Sequence, residues 1–305
     1  MSREYDVVII GGGPAGLTAG LYSARDRLSS LLIEKGVIGG KITEAELVDN
    51  YPGFPEGISG LELTRLMREQ AAKYGLEAAY TEVTALEIKE EQKVVVTTQG
   101  NFITRAVIIA GGSEREKLSV PGEKEFTGKG VSYCATCDAP FFSGKPVAVV
   151  GGGNAAIYEA LHLTKFASRV TIIHRRDRLR ATTIVQERAF AEPKIEFLWN
   201  TVVQAIEGKN FVERIRLRQV ITDRQSALEV AGIFMAIGLR PNTEYLKDVL
   251  PLDELGHVII NERMETKIPG VFAAGDIRSG SIRQTISAAG DGATAAFYAK
   301  RFIEE

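Results

Sequence analysis

Cys134 and Cys137 are the two cysteines of the chain, and they stand three residues apart in Cys134-Ala135-Thr136-Cys137-Asp138. Two thiols at that spacing can close a small disulfide ring. A thiol whose pKa is lowered by its surroundings can then pass the disulfide to another protein by exchange. Asp138 follows directly and is a candidate to give a proton to a thiolate or take one from a thiol. Other readings compete. The pair could be half of a zinc site, for which the histidines on offer are His162, His174 and His257. It could be two inert buried cysteines, and Asp138 could be a plain turn or cap residue. Two cysteines are too few for a secreted disulfide scaffold.

A second set of residues has the chemistry to hold phosphate. Val7-Val8-Ile9-Ile10 leads into Gly11-Gly12-Gly13-Pro14-Ala15-Gly16, and Leu17 to Ala24 then has a helical pattern. Glycines spaced G-x-G-x-x-G between a strand and a helix permit a tight turn, close approach of a pyrophosphate and close helix–strand packing. The free N–H groups at the helix start favour the anion. A following strand, Ser30 to Ile33, ends in Glu34, an acid placed to hold the hydroxyl pair of a ribose. A glycine-rich turn that merely packs a helix is the bland alternative.

The phrase returns 140 positions later. Val147-Ala148-Val149-Val150 leads into Gly151-Gly152-Gly153-Asn154-Ala155-Ala156, a helical stretch from Ile157 to Phe166, and a strand from Val170 to Ile173. Two copies imply two nucleotides. The copies differ where Glu34 falls opposite His174, which is followed by Arg175, Arg176 and Arg180. Guanidinium groups bind a 2′-phosphate that a carboxylate would repel. The second site should therefore prefer NADPH, and the first a dinucleotide with a free ribose such as FAD. A solvated basic loop is the competing reading of the arginines.

The elements that must position these residues imply two α/β domains. Length alone suggests two, since 305 residues is about twice one domain. Near the C-terminus, Val271-Phe272-Ala273-Ala274-Gly275-Asp276 reads as a strand ending in Gly-Asp, and Arg283-Gln284-Thr285 opens a last helix running to about Phe302. Asp276 could meet a ribityl hydroxyl or phosphate edge, or could be a cap. Ile108 to Gly112 and Phe234 to Gly238 are apolar runs ending in glycine, which suits strands leading into two interdomain crossings. The expectation is a discontinuous first domain, 1–112 and 240–305, with an insert at 113–239. Val94 to Thr98 and Val212 to Leu217 read as added antiparallel strands.

Composition excludes several classes. Net charge is −2, which argues against a nucleic-acid binder. No run of 18 apolar residues is present, so no membrane partner is expected. The opening residues read as the approach to a strand and not as a secretion signal.

Together these motifs, with Gly39-Gly40, resemble the low-molecular-weight thioredoxin reductases over nearly the whole chain. Cys-Ala-Thr-Cys-Asp in the inserted domain is the most specific of them. The resemblance implies an α/β fold of two Rossmann-like, three-layer domains, the NADPH domain inserted into the FAD domain. It implies FAD contacts from Gly11, Gly13, Pro14, Ala15, Gly16, Glu34, Gly39, Gly40, Lys41, Asn50, Gly275, Asp276, Arg283 and Gln284. NADPH contacts would come from Gly151, Gly153, Asn154, Ala155, His174, Arg175, Arg176 and Arg180. Cys134, Cys137 and Asp138 would be catalytic, with Cys137 nearer the flavin and no metal. The resemblance further implies a cytoplasmic homodimer, a thioredoxin-like protein partner, and alternation of two domain orientations about crossings near 112–118 and 239–245. Three departures stand out: Lys41 where glutamine is common, Tyr158 where an acid is common, and Ala110-Gly111-Gly112 for a more usual Thr-Gly-Ala.

Alternative flavoproteins fit less well. A ferredoxin–NADP reductase of similar fold has no use for Cys134 and Cys137. A dithiol oxidase or a ferredoxin-fed disulfide reductase has no use for the arginines. A nucleotide-binding redox sensor without turnover is the reading from a different class.

Overall fold

Val7-Val8-Ile9-Ile10 is apolar at every position, so both faces of the strand it forms must be covered. In a computed structural model, which describes residues 3–45, 47–89 and 92–305, these residues end β1 (Arg3–Ile10). Next come α1 (Pro14–Arg25), β2 (Ser30–Glu34), α2 (Gly60–Lys73), β3 (Glu77–Tyr80), β4 (Val83–Lys89), β5 (Gln92–Thr97) and β6 (Gly100–Ile109). The sheet order is β3-β2-β1-β6-β5-β4. Pairing is parallel from β3 through β6 and antiparallel from β6 to β4. Pro14 stands at the first helical position of α1, where a missing N–H costs nothing, so the helix begins three residues before the apolar pattern does.

The chain then runs through β7 (Ser113–Arg115) into a second compact unit, Arg115–Leu239. Its elements are β8 (Val131–Ser132), the one-turn α3 (Ala135–Asp138), β9 (Pro146–Val150), α4 (Asn154–Leu163), β10 (Arg169–Ile173), α5 (Thr183–Ala191), β11 (Ile195–Leu198), β12 (Thr201–Gly208), β13 (Val212–Gln219), β14 (Gln225–Glu229) and β15 (Gly232–Met235). A parallel sheet has the order β11-β10-β9-β15-β8, and β12-β13-β14 form a separate antiparallel sheet. Alternate residues of the parallel strands serve two cores. Val147, Val149, Ile172 and Phe234 pack with Ala156, Ile157, Ala160 and Leu163 of α4. Ala148, Val150, Ile173 and Ile233 pack with Val203, Ile206, Ile215 and Leu217 of the antiparallel sheet. The unit is therefore three layers thick. Helix α4 stops at Leu163, short of Phe166, because Thr164 to Phe166 leave the helix in a turn.

The return passes through β16 (Leu239–Pro241) to β17 (Val271–Ala273) and α6 (Thr285–Glu304). These complete the first unit, made of residues up to Glu114 and from Arg240 onward. Strand β17 joins the C-terminal half of β6 in parallel, while β5 takes its N-terminal half. Val7, Ile9, Ala106 and Ile108 face Ala15 and Ala19 of α1 and Ala295, Ala296 and Ala299 of α6. Val8, Ile10, Ile33, Val107 and Ile109 face Leu246, Leu250 and Val258. Helices α1 and α6 meet through small residues, and a Cβ on Gly292 would lie 2.1 Å from the Ala15 carbonyl oxygen. In the first unit Asn242 bonds back to the Gly111 and Gly112 carbonyls at 2.8 and 3.0 Å. In the second, the Glu116 amide bonds to the Gly238 carbonyl at 3.1 Å.

Candidate active site

The glycine-rich loop of the first unit is shaped by contacts that leave no room for a side chain at Gly11 and Gly16. Gly11 has φ +109°, and a Cβ there would lie 2.3 Å from the Ala110 carbonyl oxygen. A Cβ on Gly16 would lie 1.9 Å from the Gly11 carbonyl oxygen. At Gly13 the nearest atom is the Gly40 Cα, 3.9 Å from a notional Cβ, because Gly39 donates its amide to the Gly12 carbonyl at 2.8 Å. Gly39-Gly40 is thereby laid over the loop, with Gly39 at φ +132°. Lys41 follows with its side chain exposed. The Glu34 carboxylate accepts from the Gly12 and Gly36 amides, both at 2.8 Å, which fixes it at the loop's edge.

The end of the chain reaches the same place. Gly275, at φ +78°, approaches Ala15, whose Cβ would be 3.0 Å from a Cβ on Gly275. The Gly275 amide bonds to the buried Asp291 carboxylate at 3.0 Å. Asp291 in turn takes two bonds from Arg278, at 2.6 and 2.9 Å. The Asp276 carboxylate accepts from the Ser281 hydroxyl at 3.0 Å. Gln284 caps α6 reciprocally with Ser287 and accepts from the Asn50 side chain at 3.2 Å. Arg283 is exposed at φ +59°, a strained conformation for a side chain with a Cβ. The fold thus gathers Asn50 and Gln284, far apart in sequence, and fastens Gly275-Asp276 to the start of α1.

The second unit repeats the device with other side chains. Gly151 has φ +152°, and a Cβ there would be 2.4 Å from the Ala236 carbonyl oxygen. Gly153 is open, with nothing within 4 Å of a notional Cβ. The Gly152 carbonyl accepts from Arg180 at 2.6 Å and Ala181 at 3.2 Å, as the Gly12 carbonyl accepts from Gly39. Asn154 accepts from the Thr182 amide at 2.8 Å. Ala155 stands at the start of α4 beside it. These bonds pin the arginine-bearing loop onto the glycine-rich one. Arg175, Arg176 and Arg180 are exposed and join no salt bridge with a described residue.

His174 is separated from the arginines it precedes. It is 5% exposed, and a Cβ on Gly152 would lie within 2.3–2.6 Å of its ring. The ring stands edge-on to Trp199, which stacks on Phe197. Its Nε2 is buried with no hydrogen-bond partner among the described residues. Burial first, and then the charges of Arg180, Arg176 and Arg175, hold its pKa below the usual histidine value. It is a neutral, buried imidazole where the first unit has a carboxylate.

Cys134 and Cys137 form a disulfide, with Cα atoms 5.3 Å apart. Cys134 caps α3, and its sulfur accepts from the Cys137 amide at 3.3 Å. Both cysteines are half-buried, and α3 packs against α4. Ser132, absent from the sequence reading, donates to the Asp138 carboxylate at 2.6 Å and accepts from the Cys134 amide at 3.1 Å. Glu123 is a second omission. Buried at 3% exposure, it accepts from the Leu118 and Ser119 amides and from Tyr133, the neighbour of Cys134. Burial and the bond to Glu123 push the Tyr133 hydroxyl pKa well up. Neither residue carries a motif, and the one signal available was proximity to the cysteines. No cluster of three or more potential metal ligands occurs among the described residues. No described helix is long and apolar enough to cross a membrane.

The open glycine positions, the carboxylate at one strand end, and the buried unsatisfied imidazole with exposed guanidiniums at the other are what two different dinucleotides require. The residues present fit FAD in the first unit and NADPH in the second. Comparison with known proteins agrees with this geometry. The pyridine nucleotide-disulphide oxidoreductase family profile matches residues 5–292. A thioredoxin reductase of Bacillus subtilis is 48% identical over 308 aligned residues, covering 100% of this chain and 97% of that protein. The crystal structure of a thioredoxin reductase from Streptococcus pyogenes is 42% identical, with a TM-score of 0.95 and coverage of 100% and 99%. That of a thioredoxin reductase from Giardia duodenalis is 33% identical, again with a TM-score of 0.95 and full coverage of both chains. With a redox disulfide in a unit that also carries a nucleotide loop, and with matches running the length of the sequence, the chain belongs to the pyridine nucleotide-disulphide oxidoreductase family.

Proposed function

We propose that this protein is an NADPH-dependent thioredoxin reductase. The observation that carries the reading is one unit holding both a dinucleotide loop with a basic strand end and the Cys134–Cys137 disulfide. The first unit would be the FAD domain, from residue 1 to 112 and from 240 to 305, and residues 113–239 the NADPH domain.

Bound FAD supplies the two-electron chemistry that couples a hydride donor to a disulfide acceptor. The chain's own part begins with selection. Gly11, Gly13 and Gly16 admit a pyrophosphate to the start of α1, and Pro14 and Ala15 open that helix without side chains in the way. Glu34, held by two amides, presents its remaining lone pairs to ribose hydroxyls. Gly39, Gly40, Asn50, Gly275, Asp276, Arg283 and Gln284 line the rest of this site, with Lys41 at its edge. Gly151, Gly153, Asn154 and Ala155 do the same for NADPH. Arg175, Arg176 and Arg180 would take the 2′-phosphate, and His174 is too buried to be a charged ligand for it.

Reduction of the Cys134–Cys137 disulfide consumes two electrons and two protons and leaves two thiols. One, as the thiolate, attacks the disulfide of the carrier. A mixed S–S bond forms, and the carrier's other sulfur leaves as a thiolate. The second cysteine then attacks its neighbour's sulfur, re-forming the internal disulfide and releasing the carrier as a dithiol. Asp138 holds and moves the proton exchanged with the ionising sulfur. The carrier would be thioredoxin or a thioredoxin-like protein, and the enzyme a cytoplasmic homodimer, which sedimentation of the holoenzyme tests.

Anaerobic titration tests the function. NADPH should bleach the yellow protein, and oxidised thioredoxin should restore the colour. Cys134→Ser and Cys137→Ser should each retain bleaching and lose thioredoxin turnover entirely. Thioredoxin turnover retained by both variants would refute the assignment.

A further inference from the structure

The Ser132 hydroxyl lies at the centre of the redox motif. It is 4% exposed, on a two-residue strand that ends the parallel sheet of its unit. Its oxygen is 2.6 Å from Asp138 Oδ2, 3.1 Å from the Cys134 amide nitrogen and 3.4 Å from the Cys134 carbonyl oxygen. A serine hydroxyl has one proton to donate and two lone pairs. The Cys134 amide occupies one lone pair. The proton has two possible destinations, the Asp138 carboxylate and the Cys134 carbonyl.

Resting on the reading of Asp138 as the acid–base group, we propose that Ser132 is a positioning residue that holds Asp138 and Cys134 together in both protonation states of the acid by rotating its hydroxyl. While Asp138 is ionised, the Ser132 proton points to it, and the 2.6 Å contact is a charge-assisted bond. Once Asp138 carries a proton, the serine oxygen accepts it as the second of its two bonds, and its own proton turns to the Cys134 carbonyl. The Ser132 proton never leaves Oγ. The transferred proton passes between the Asp138 carboxyl and a cysteine sulfur. The backbone of Cys134 is tied to the same oxygen throughout, so acid and sulfur keep their spacing while the disulfide opens and closes.

The bond to the ionised carboxylate is the stronger of the two, since charge-assisted bonds are about twice as strong as neutral ones. Removing the hydroxyl therefore disfavours the ionised form and raises the Asp138 pKa. Loss of one such bond, partly replaced by water, corresponds to about one pH unit. The other titratable groups on elements packed against α3 are Tyr158, Glu159 and His162 of α4, both cysteines, and Tyr133 with Glu123 and Arg115 behind it. None of these is altered by substituting Ser132.

The test is the pH profile of thioredoxin turnover in holoenzyme carrying Ser132→Ala, Ser132→Thr, Asp138→Asn, or Ser132→Ala with Asp138→Asn. The limb of the wild-type profile that vanishes in Asp138→Asn belongs to the acid. That limb should move up by about one pH unit in Ser132→Ala. It should return in Ser132→Thr, which keeps a hydroxyl. The double variant should superimpose on Asp138→Asn. If Asp138→Asn turns over like wild type, the acid–base reading fails. If Asp138→Asn is impaired but Ser132→Ala leaves the limb where it was, or the double variant still shifts, the role of Ser132 is overturned alone. Should threonine crowd the buried site, the comparison of Ser132→Ala with the double variant still decides.

Discussion

Replacing Arg175 and Arg176 by alanine probes the feature that distinguishes the two nucleotide sites. Both side chains are exposed and bridge to no described carboxylate, so the fold does not depend on them, and stability should stay within about 0.5 kcal/mol of wild type. Each would make a charge-assisted contact with the 2′-phosphate. Such contacts reach about 1.5–3 kcal/mol when sheltered, but exposure to water and salt lowers them to roughly 1–1.5 kcal/mol each. The pair then supplies roughly 2–3 kcal/mol. At 1.36 kcal/mol per tenfold, kcat/KM for NADPH should fall roughly 30- to 150-fold. NADH has no phosphate there, and its kcat/KM should change less than about threefold. Stopped-flow flavin reduction with each nucleotide, with FAD content and melting checked in parallel, gives both numbers. The effect should also shrink as ionic strength rises. An equal loss with NADPH and NADH would show that the arginines support the loop and do not read the phosphate, and the assignment of the second unit would fall with them.

Three further outcomes follow from the geometry. Gly16→Ala places a Cβ 1.9 Å from the Gly11 carbonyl oxygen and should yield colourless protein with little bound FAD, read by absorbance of the purified protein, whereas Ala156→Gly at the equivalent point should keep NADPH affinity within a few-fold, read by NADPH titration. Asp291→Asn leaves Arg278 nearly buried without its ion partner and loosens the Gly275 amide, so it should destabilise the first unit by about 3 kcal/mol, read by urea unfolding. His174 has a native pKa below its unfolded value of about 6.5, so protonation favours unfolding: its stabilising effect is full above that pH and is lost as pH falls towards the lowered native value. His174→Asn should therefore flatten the loss of stability as pH falls below about 6.5 relative to wild type, and His162, whose pKa is also lowered by burial, acts in the same direction.

Much of the chemistry was written in the order of residues. The glycine phrases at 11–16 and 151–156, the acid or basic cluster at the following strand end, and Cys134-x-x-Cys137 are local patterns. Each works through a backbone conformation or a ring closure that its own few residues impose. The strands and helices that flank these motifs followed from the same source, since continuous apolar runs and Gly-rich turns permit few alternatives, whereas α2, α5 and strands such as β3, β4 and β11 were not legible there. Element ends followed less well. Pro14 and Gly153 extend α1 and α4 toward their N-termini, and α4 turns off before Phe166, because caps depend on neighbours that periodicity does not register.

What only the tertiary structure decided is what each side chain faces. His174 and Arg175 are adjacent in sequence and look alike in charge, yet one is sealed beneath Gly152 and the other is in water. Asn50 and Gln284 meet across most of the chain's length, and Arg278–Asp291 fastens the Gly275-Asp276 turn without belonging to any motif. Ser132 and Glu123 are ordinary residues whose importance comes entirely from being buried within hydrogen-bond reach of the redox segment. Sequence spacing reports bonding along the chain, whereas burial and pairing depend on which distant segments pack together, and that is settled only when the sheets close over their cores.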